Sequence, residues 1–517
     1  MRRQDIQLLA QARQGDASAR CEVGRRYLLG VDGFPQHVTT ALEYLQHPSL
    51  AGQALPARII AEGLPLEDLL ALDQQPALER AAGAGSVLAQ VKLAVWCVAR
   101  RGAGTEARRW LAAAAGAGHE PARRAGDALA RLRERDDALP ALLDALAPGS
   151  GIDGAAVARA AAQQALAAGE LPRLLVALRA ALRLADGAVG ELSPLVVDAL
   201  RLAEAAGQPL DGLPAEALRH ALEQRAVQGD RDAAFALGRG LCGIACAALP
   251  EAVFAEHQNM RKGAAFLLRA ADAGCDAAWL HLYRLHSDHR LSVANPQLAR
   301  FFLEKAALRG QVEAQRKLGA LQLREASALD ETEQAIHWLH TAATQGDAHA
   351  RTLLQSLVLP VEDGAVEAAF AIEQVRRIDP WLAERLALAR AFGLTRLEAL
   401  CVDPVAGLRP WGLVVARNPF IAQARLAAPR AVPATSDEAL AVARRAAHFF
   451  GHARSEGAAA EGDLRARTLR LRRVFERLGL DEAMFFSEAT AMVLESLRLG
   501  AKWAYRARQP LQDALAA

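Results

Sequence analysis

Along much of the chain, apolar positions recur with the period of a helix and are interrupted by glycine at a nearly constant interval. Gly274, Gly310 and Gly346 stand 36 residues apart. Eight residues before each comes an aromatic (Phe266, Phe302, Trp338), followed at once by leucine (Leu267, Leu303, Leu339). An Ala-Ala pair sits four and three residues before each glycine: Ala270-Ala271, Ala306-Ala307 and Ala342-Ala343. Four residues after come Ala278, Ala314 and Ala350; eight after come Leu282, Leu318 and Leu354. Offsets of −8, −7, −4 and −3 share one helical face. That helix is expected to stop at the glycine, which takes the left-handed conformation of a C′ residue. The following helix presents Ala and Leu on one face. The small residues predict close helix packing, with Trp or Phe filling the gap beside them. One such pair has too little core to fold alone, so neighbouring pairs must stack.

The same ruler applies upstream. Gly118 follows Trp110-Leu111 and Ala114-Ala115; Gly85 follows Leu78 and Ala81-Ala82; Gly52 follows Tyr44-Leu45. Gly15 precedes Ala19, Val23, Gly24 and Tyr27, and Gly229 precedes Ala233, Leu237 and Gly238. From Gly229 to Gly274 the spacing widens to 45, nine more than the unit, with the excess around Leu241 to Met260. Residues 126–218 stay rich in Ala and Leu but lose the ruler, and Gly149-Ser150-Gly151, Pro194, Pro209 and Pro214 punctuate them. The expected organisation is repeats over 1–125, degenerate helical hairpins over 126–218, repeats over 219–360, and a basic, mostly helical C-terminal domain over 361–517.

The unit Ala-x-x-Trp-Leu-x-x-Ala-Ala-x-x-Gly, then Ala-x-x-x-Leu-Gly, resembles the Sel1-like repeat, a relative of the tetratricopeptide repeat. It stands as Ala335, Trp338, Leu339, Ala342, Ala343 and Gly346, and as Ala314, Leu318 and Gly319. The first unit resembles it in Ala19, Gly24, Tyr27 and Gly30, then Ala41, Tyr44 and Leu45. The resemblance covers roughly residues 10–125 and 220–356. It implies an all-α fold, an α-solenoid of helical hairpins, and a non-enzymatic adaptor whose stacked helices hold a peptide or a folded partner.

After Leu359-Pro360 the ruler stops. Asp379 as N-cap and Pro380 at N1 predict a helix to about Phe392. Thr395-Arg396-Leu397-Glu398 reads as a capping box. Trp411 to Val415 is the best strand candidate, with Arg417-Asn418-Pro419 as a turn and Phe420 to Leu426 as its hairpin partner. Helices are expected over about 437–451, 463–479 and 481–508. Residues 370–517 carry 22 basic against 16 acidic side chains. Ala389, Gly393, Leu394 and Ala399 fit a short helix-turn-helix pattern, which would set Arg396 near a major groove. Arg465, Arg467, Arg470, Arg472, Arg473 and Arg477 share one predicted helix with Leu464, Leu469, Leu471 and Phe475. Arg396, Arg465, Arg467, Arg470, Arg472 and Arg473 are therefore the candidate contacts for a partner or for nucleic acid.

Composition narrows the choice of function. Hydrophobic residues make up 52% and charged residues 23%, which excludes wholesale disorder. Aromatics are 5%, against a β-rich fold. A net charge of +2 supplies no global field for nucleic acid or membrane. Only five basic residues are lysine; arginine bias with abundant alanine suggests a GC-rich bacterial genome. Six scattered cysteines predict a reducing compartment. The polar N-terminus and the lack of an apolar run of about 18 residues predict a cytoplasmic chain without a membrane span.

Candidate chemistry is thin. His281, His286 and His289 follow Cys275, but His281 and His286 lie off a shared helical face; His337 and His340, with His349, have an i, i+3 spacing that fits a ligand pair but flank the repeat position Trp338, and both sets read as packing or solvated groups. Cys242 and Cys246 have three residues between them instead of the two of a CxxC redox pattern, have no partner pair, and read as buried thiols. Phosphate loops, nucleophile elbows and metalloprotease motifs are absent from the sequence. No cofactor, metal or catalytic residue is expected. The expectation is a scaffold for a protein or peptide partner, with a nucleic-acid-associated regulator as the alternative.

Overall fold

The structure is a computed structural model that describes residues 3–102, 104–132, 138–147, 149–185, 189–362, 364–415, 429–455, 461–488 and 507–517. The fold is all-α apart from one small sheet. The chain divides into two compact units, Met1–Ala278 and Trp279–Ala517. In each, successive helices pack on one another as hairpins.

The turn at the anchor glycines is a Schellman motif. The Gly346 N–H donates to the Ala343 carbonyl, and the Asp347 N–H donates to the Ala342 carbonyl. This pair of bonds recurs at Gly15, Gly85, Gly118, Gly229, Gly274 and Gly310, each with φ between 81° and 105°. Such bonds satisfy carbonyls that a helix end leaves without partners. The following residue then caps the next helix. Asp16, Ser86, His119, Asp230 and Asp347 accept through their side chains from the N–H of Ala19, Ala89, Ala122, Ala233 and Ala350. Gly169, Gly207 and Gly243 close the same turn. The turn chemistry therefore persists through residues where the apolar ruler fails. Gly52 departs from it, because a 3-10 turn at Pro48–Leu50 follows helix Val38–Leu45.

Nine residues after an anchor, another glycine brings two helices together. A Cβ on Gly319 would lie 2.8 Å from Leu339 Cγ and 2.9 Å from the Ala335 carbonyl oxygen. Gly238 meets Leu267 and the Gly263 backbone in the same way, and Gly24 meets Leu45 and the Ala41 backbone. The leucine of each unit is the fixed core residue: Leu78, Leu111, Leu267, Leu303 and Leu339 are all buried. The aromatic before it varies. Phe266 and Phe302 are buried, whereas Trp110 and Trp338 are half-exposed. The expected gap-filling role therefore holds for the phenylalanines and only partly for the tryptophans, because the adjacent leucine already occupies the interface.

A further device recurs five residues after the glycine. Arg20 Nε, Gln90 Nε2 and Gln315 Nε2 donate at 2.8, 3.2 and 3.3 Å to the carbonyls of Ala12, Ala82 and Ala307. Each acceptor lies three residues before its anchor, so a side chain of the second helix caps the end of the first.

In the first unit, helix Val87–Arg101 is enclosed: residues 89–98 are all buried. Apart from Gln90 and Lys92 this buried run is apolar on every side, the mark of a helix surrounded by protein. Helices Ala138–Leu146 and Gly154–Ala167 pack against it, and Gly154–Ala167 also packs on Leu66–Ala71. Residues from the irregular stretch thus cover earlier hairpins. The nine extra residues after helix Arg231–Leu241 form a loop with a 3-10 turn at Glu251–Val253; it buries Phe254 against Gly240.

In the second unit, strands β1 (Leu408–Arg409), β2 (Gly412–Val415) and β3 (Arg430–Pro433) form an antiparallel sheet in that order. The strand expected at Trp411 to Val415 is present from Gly412, with Trp411 in the turn before it. Its expected partner, Phe420 to Leu426, and the Arg417-Asn418-Pro419 turn lie outside the described residues. The described partners are β1 and β3 instead. Helix Pro380–Ala391 is capped by Asp379, and Thr395 with Glu398 forms the capping box of helix Arg396–Cys401. Helices Asp437–Ser455 and Leu464–Leu478 follow. The helix expected over 481–508 is not observed at its start, where Glu482–Met484 is a 3-10 turn capped by Asp481; residues 489–506 lie outside the described residues. A short helix, Arg508–Ala516, closes the chain. Leu511 and Ala514 of that helix share a core with Leu339, Leu353, Trp411 and Val414. The last repeats and C-terminal residues are therefore packed together.

Candidate interaction surface

Helix Pro296–Leu308 turns Ala299, Phe302, Leu303, Ala306 and Ala307 inward. Its opposite side carries Leu298, Phe301, Lys305 and Leu308, at spacings of three, four and three. These belong to one helical face. Phe301 and Leu308 are 46% and 69% exposed. Lys305 Nζ lies 5.3 Å from the Phe301 ring centroid, so a cation sits directly on the apolar stripe. In the next repeat the positions of Phe301, Lys305 and Leu308 are held by His337, Thr341 and Thr344. The apolar stripe is thus local to one repeat. It was not legible from the ruler, which records only the buried positions.

The candidate arginines do not act as one face. Arg465, Arg472 and Arg473 are exposed on helix Leu464–Leu478, with Arg472 bonded to Glu476 at 2.7 Å. Arg467 and Arg470 turn toward the protein. Arg467 Nη1 donates to the Leu400 carbonyl at 2.6 Å, and its Nε lies 3.3 Å from Glu461. Burial pushes its pKa below the usual arginine value. Arg470 donates to the Glu461 carbonyl at 2.8 Å and lies 3.4 Å from Asp379. Arg396 is exposed and holds both carboxylate oxygens of Glu482 at 3.0 Å.

The helix-turn-helix reading meets a geometric obstacle. Helix Arg396–Cys401 is six residues long, and Glu398, Ala399, Leu400 and Cys401 are buried. A recognition helix must lay a solvent-facing side into a groove. Here the carboxylate of Glu398 is held by Arg430 at 2.7 and 3.0 Å. Burial alone would raise the Glu398 pKa, but the Arg430 guanidinium and the Thr395 bonds hold it below the usual range. The segment is built as core.

Burial pushes the Cys242 thiol up to about 12 and the Cys401 thiol up to about 11, so neither is an activated thiolate at neutral pH. His286 packs on Phe302 with ring centroids 5.2 Å apart, and burial lowers its pKa. Among the described residues, no group of three or more His, Cys, Asp or Glu side chains is placed to hold a metal ion. Among them, too, no helix is long and apolar enough to cross a membrane.

The glycine turn, its cap one residue later, the alanine at +4 and the close approach of Gly319 to Leu339 all coincide with the pattern read from the sequence. The unit resembles a Sel1-like repeat. Two solved structures are similar to this chain. A protective antigen present in uropathogenic Escherichia coli strains, displaying an SLR fold, shares 20% identity over 68% of this chain and 75% of that one, with a TM-score of 0.28. A Sel1 repeat protein from Oxalobacter formigenes shares 20% identity over 68% of this chain and 90% of that one, with a TM-score of 0.26. Neither a protein-family model nor a curated protein matches the chain. The repeat units account for the buried face of helix Pro296–Leu308, and its exposed stripe is an addition to them.

Proposed function

We propose that this protein is a non-enzymatic scaffold that binds a protein or peptide partner on the surface of its Sel1-like repeats. The observation that carries the reading is the stripe of Leu298, Phe301 and Leu308 with Lys305 on a helix whose other side is fully packed. An aromatic and two leucines at helical spacing, left in water, are characteristic of a surface that a partner covers. The bacterial, cytoplasmic setting expected from composition belongs to this proposal.

The test is affinity purification of the full chain and of a Phe301→Ser/Leu308→Ser variant at two salt concentrations, with and without nuclease. A protein retained after nuclease treatment and lost with the variant is the expected result. Equal recovery by both chains would remove the stripe from the account. The alternative regulator reading retains one favourable observation, the exposed Arg465, Arg472 and Arg473 on one helix. It requires retention of DNA or RNA that falls steeply with salt and with charge removal at those three positions.

A further inference from the structure

A second apolar surface lies outside the repeats. Helices Ala365–Ile378 and Asp437–Ser455 flank helix Pro380–Ala391, and a trough of about 660 Å³ opens between them. Ala365, Ala369 and Ile372 form one wall, Ala387 and Ala391 the floor, and Val442 the other wall. Small side chains on facing helices leave a gap where larger ones would close it. From Ala365 to Arg376 the trough follows eleven residues of helix, about 16 Å. Beside it, Val366 and Phe370 are 80% and 68% exposed, a combination of cavity and unpartnered apolar side chains that marks a binding groove.

The charges along the trough are unevenly placed. At one end Arg376 and Arg445 both bond the buried carboxylate of Glu384, and Arg376 also reaches Glu373 at 3.2 Å. Arg377, exposed beside Arg376, makes no ion pair among the described residues. Three guanidiniums thus accompany two carboxylates at that end. The other end holds Arg390, whose guanidinium is bonded to backbone carbonyls, and Glu438, bonded at its own helix start. That end is balanced.

We propose that the trough binds an amphipathic helix of a partner protein. Its apolar residues at i, i+3, i+4 and i+7 would cover the alanine-lined floor and Phe370, and an acidic first turn would face Arg376, Arg377 and Arg445. Helices Ala365–Ile378 and Asp437–Ser455 both run toward the arginine end, so a ligand packed antiparallel to them begins there. Acidic residues in a first turn also favour the helix itself. This site goes beyond the proposed scaffold surface and stands or falls independently of the stripe at Phe301.

The experiment uses the full chain and a fluorescein-labelled 14-residue peptide with three glutamates in its first turn and leucines at positions 5, 8, 9 and 12. A second peptide replaces the glutamates with lysines. Saturable binding of the acidic peptide is expected in the micromolar range. Ala369→Trp, which fills the trough from an exposed position, and Phe370→Ser should each weaken it at least tenfold. Arg377→Glu should weaken it severalfold at low salt and less at high salt. Far-UV circular dichroism checks that each variant keeps its helix content. No binding, equal binding of the lysine peptide, or binding unaffected by both Ala369→Trp and Phe370→Ser would overturn the proposal. Sedimentation showing a dimer that Ala369→Trp abolishes would also overturn it, by giving the trough to a second copy.

Discussion

Helix Val87–Arg101 of the first unit and helix Pro380–Ala391 of the second are each surrounded by protein, and they accommodate charge differently. Val87–Arg101 is apolar from Val91 to Val98 except for Lys92. The Lys92 ammonium donates to the carbonyls of Ala61 and Leu64 at 2.7 and 2.6 Å. Those carbonyls stand at the end of helix Ala54–Gly63, where the partial charge is negative. Desolvation still prevails, and burial pushes the Lys92 pKa down to about 8. Pro380–Ala391 instead buries Glu384 and Arg385 together. Arg385 is bonded to both oxygens of Glu461, to the carbonyls of Ala399 and Val402, and lies 4.9 Å from the centre of the Phe450 ring. A buried cation can rest on a helix end alone, but only a paired carboxylate compensates its full charge. The difference teaches that Arg385 is a hub joining four chain segments, whereas Lys92 joins two.

The largest effect that tests this contrast is expected from Arg385→Met. It removes both Arg385 bonds to the buried Glu461 carboxylate, leaves it only Arg467 at 3.3 Å, and should lower stability by about 3 kcal/mol, read from the urea midpoint of the transition assigned to the second unit. Arg385→Met/Glu461→Met should recover much of the loss. If the single variant unfolds at the wild-type midpoint, the hub is not a hub.

Next comes the pH dependence of Lys92. Between pH 8 and 10.5 the folded chain has released this proton and the unfolded chain still holds it, so the unfolded state binds more protons and stability rises with pH. The contribution over that window is about 3 kcal/mol. Lys92→Met should remove this rise when stability is compared at pH 7.5 and 10.5. A rise of the same size in the variant would assign it to other groups.

Helix approach gives a smaller effect. Gly319→Ala should lower stability by about 1–3 kcal/mol through overpacking against Leu339 and the Ala335 backbone. Gly83→Ala, with nothing within 4 Å, should be neutral or slightly stabilising. Equal thermal shifts for the two variants would argue against the close approach. The smallest effect is expected for Gln315→Leu, about 1 kcal/mol, because it removes the bond to the Ala307 carbonyl, while the exposed Gln345 amide keeps its bond to the Thr341 carbonyl.

The turns were legible because their causes are local. A glycine at C′, a capping side chain one residue later and alanine at +4 lie within a few residues and act through backbone hydrogen bonds. The caps of Asp379 and Thr395 were readable for the same reason. The sheet was readable only as one strand, since β3 pairs with β2 from beyond a sequence gap that propensity does not bridge. The arginines of helix Leu464–Leu478 illustrate a different limit. Their sequence spacing suggested one set of contacts, but Arg467 and Arg470 face Glu461 and Asp379, residues that periodicity on one helix cannot place.

By itself the amino-acid sequence determined the helices, the repeat length, the turn chemistry and the small residues through which helices approach, because each depends on neighbours one or two turns away. Only the tertiary structure decided that Glu384 and Arg385 belong to the interior, that Lys92 closes another helix, and that Phe301 and Phe370 remain in water. Burial is a property of what packs opposite a side chain, and that neighbour is often tens of residues distant.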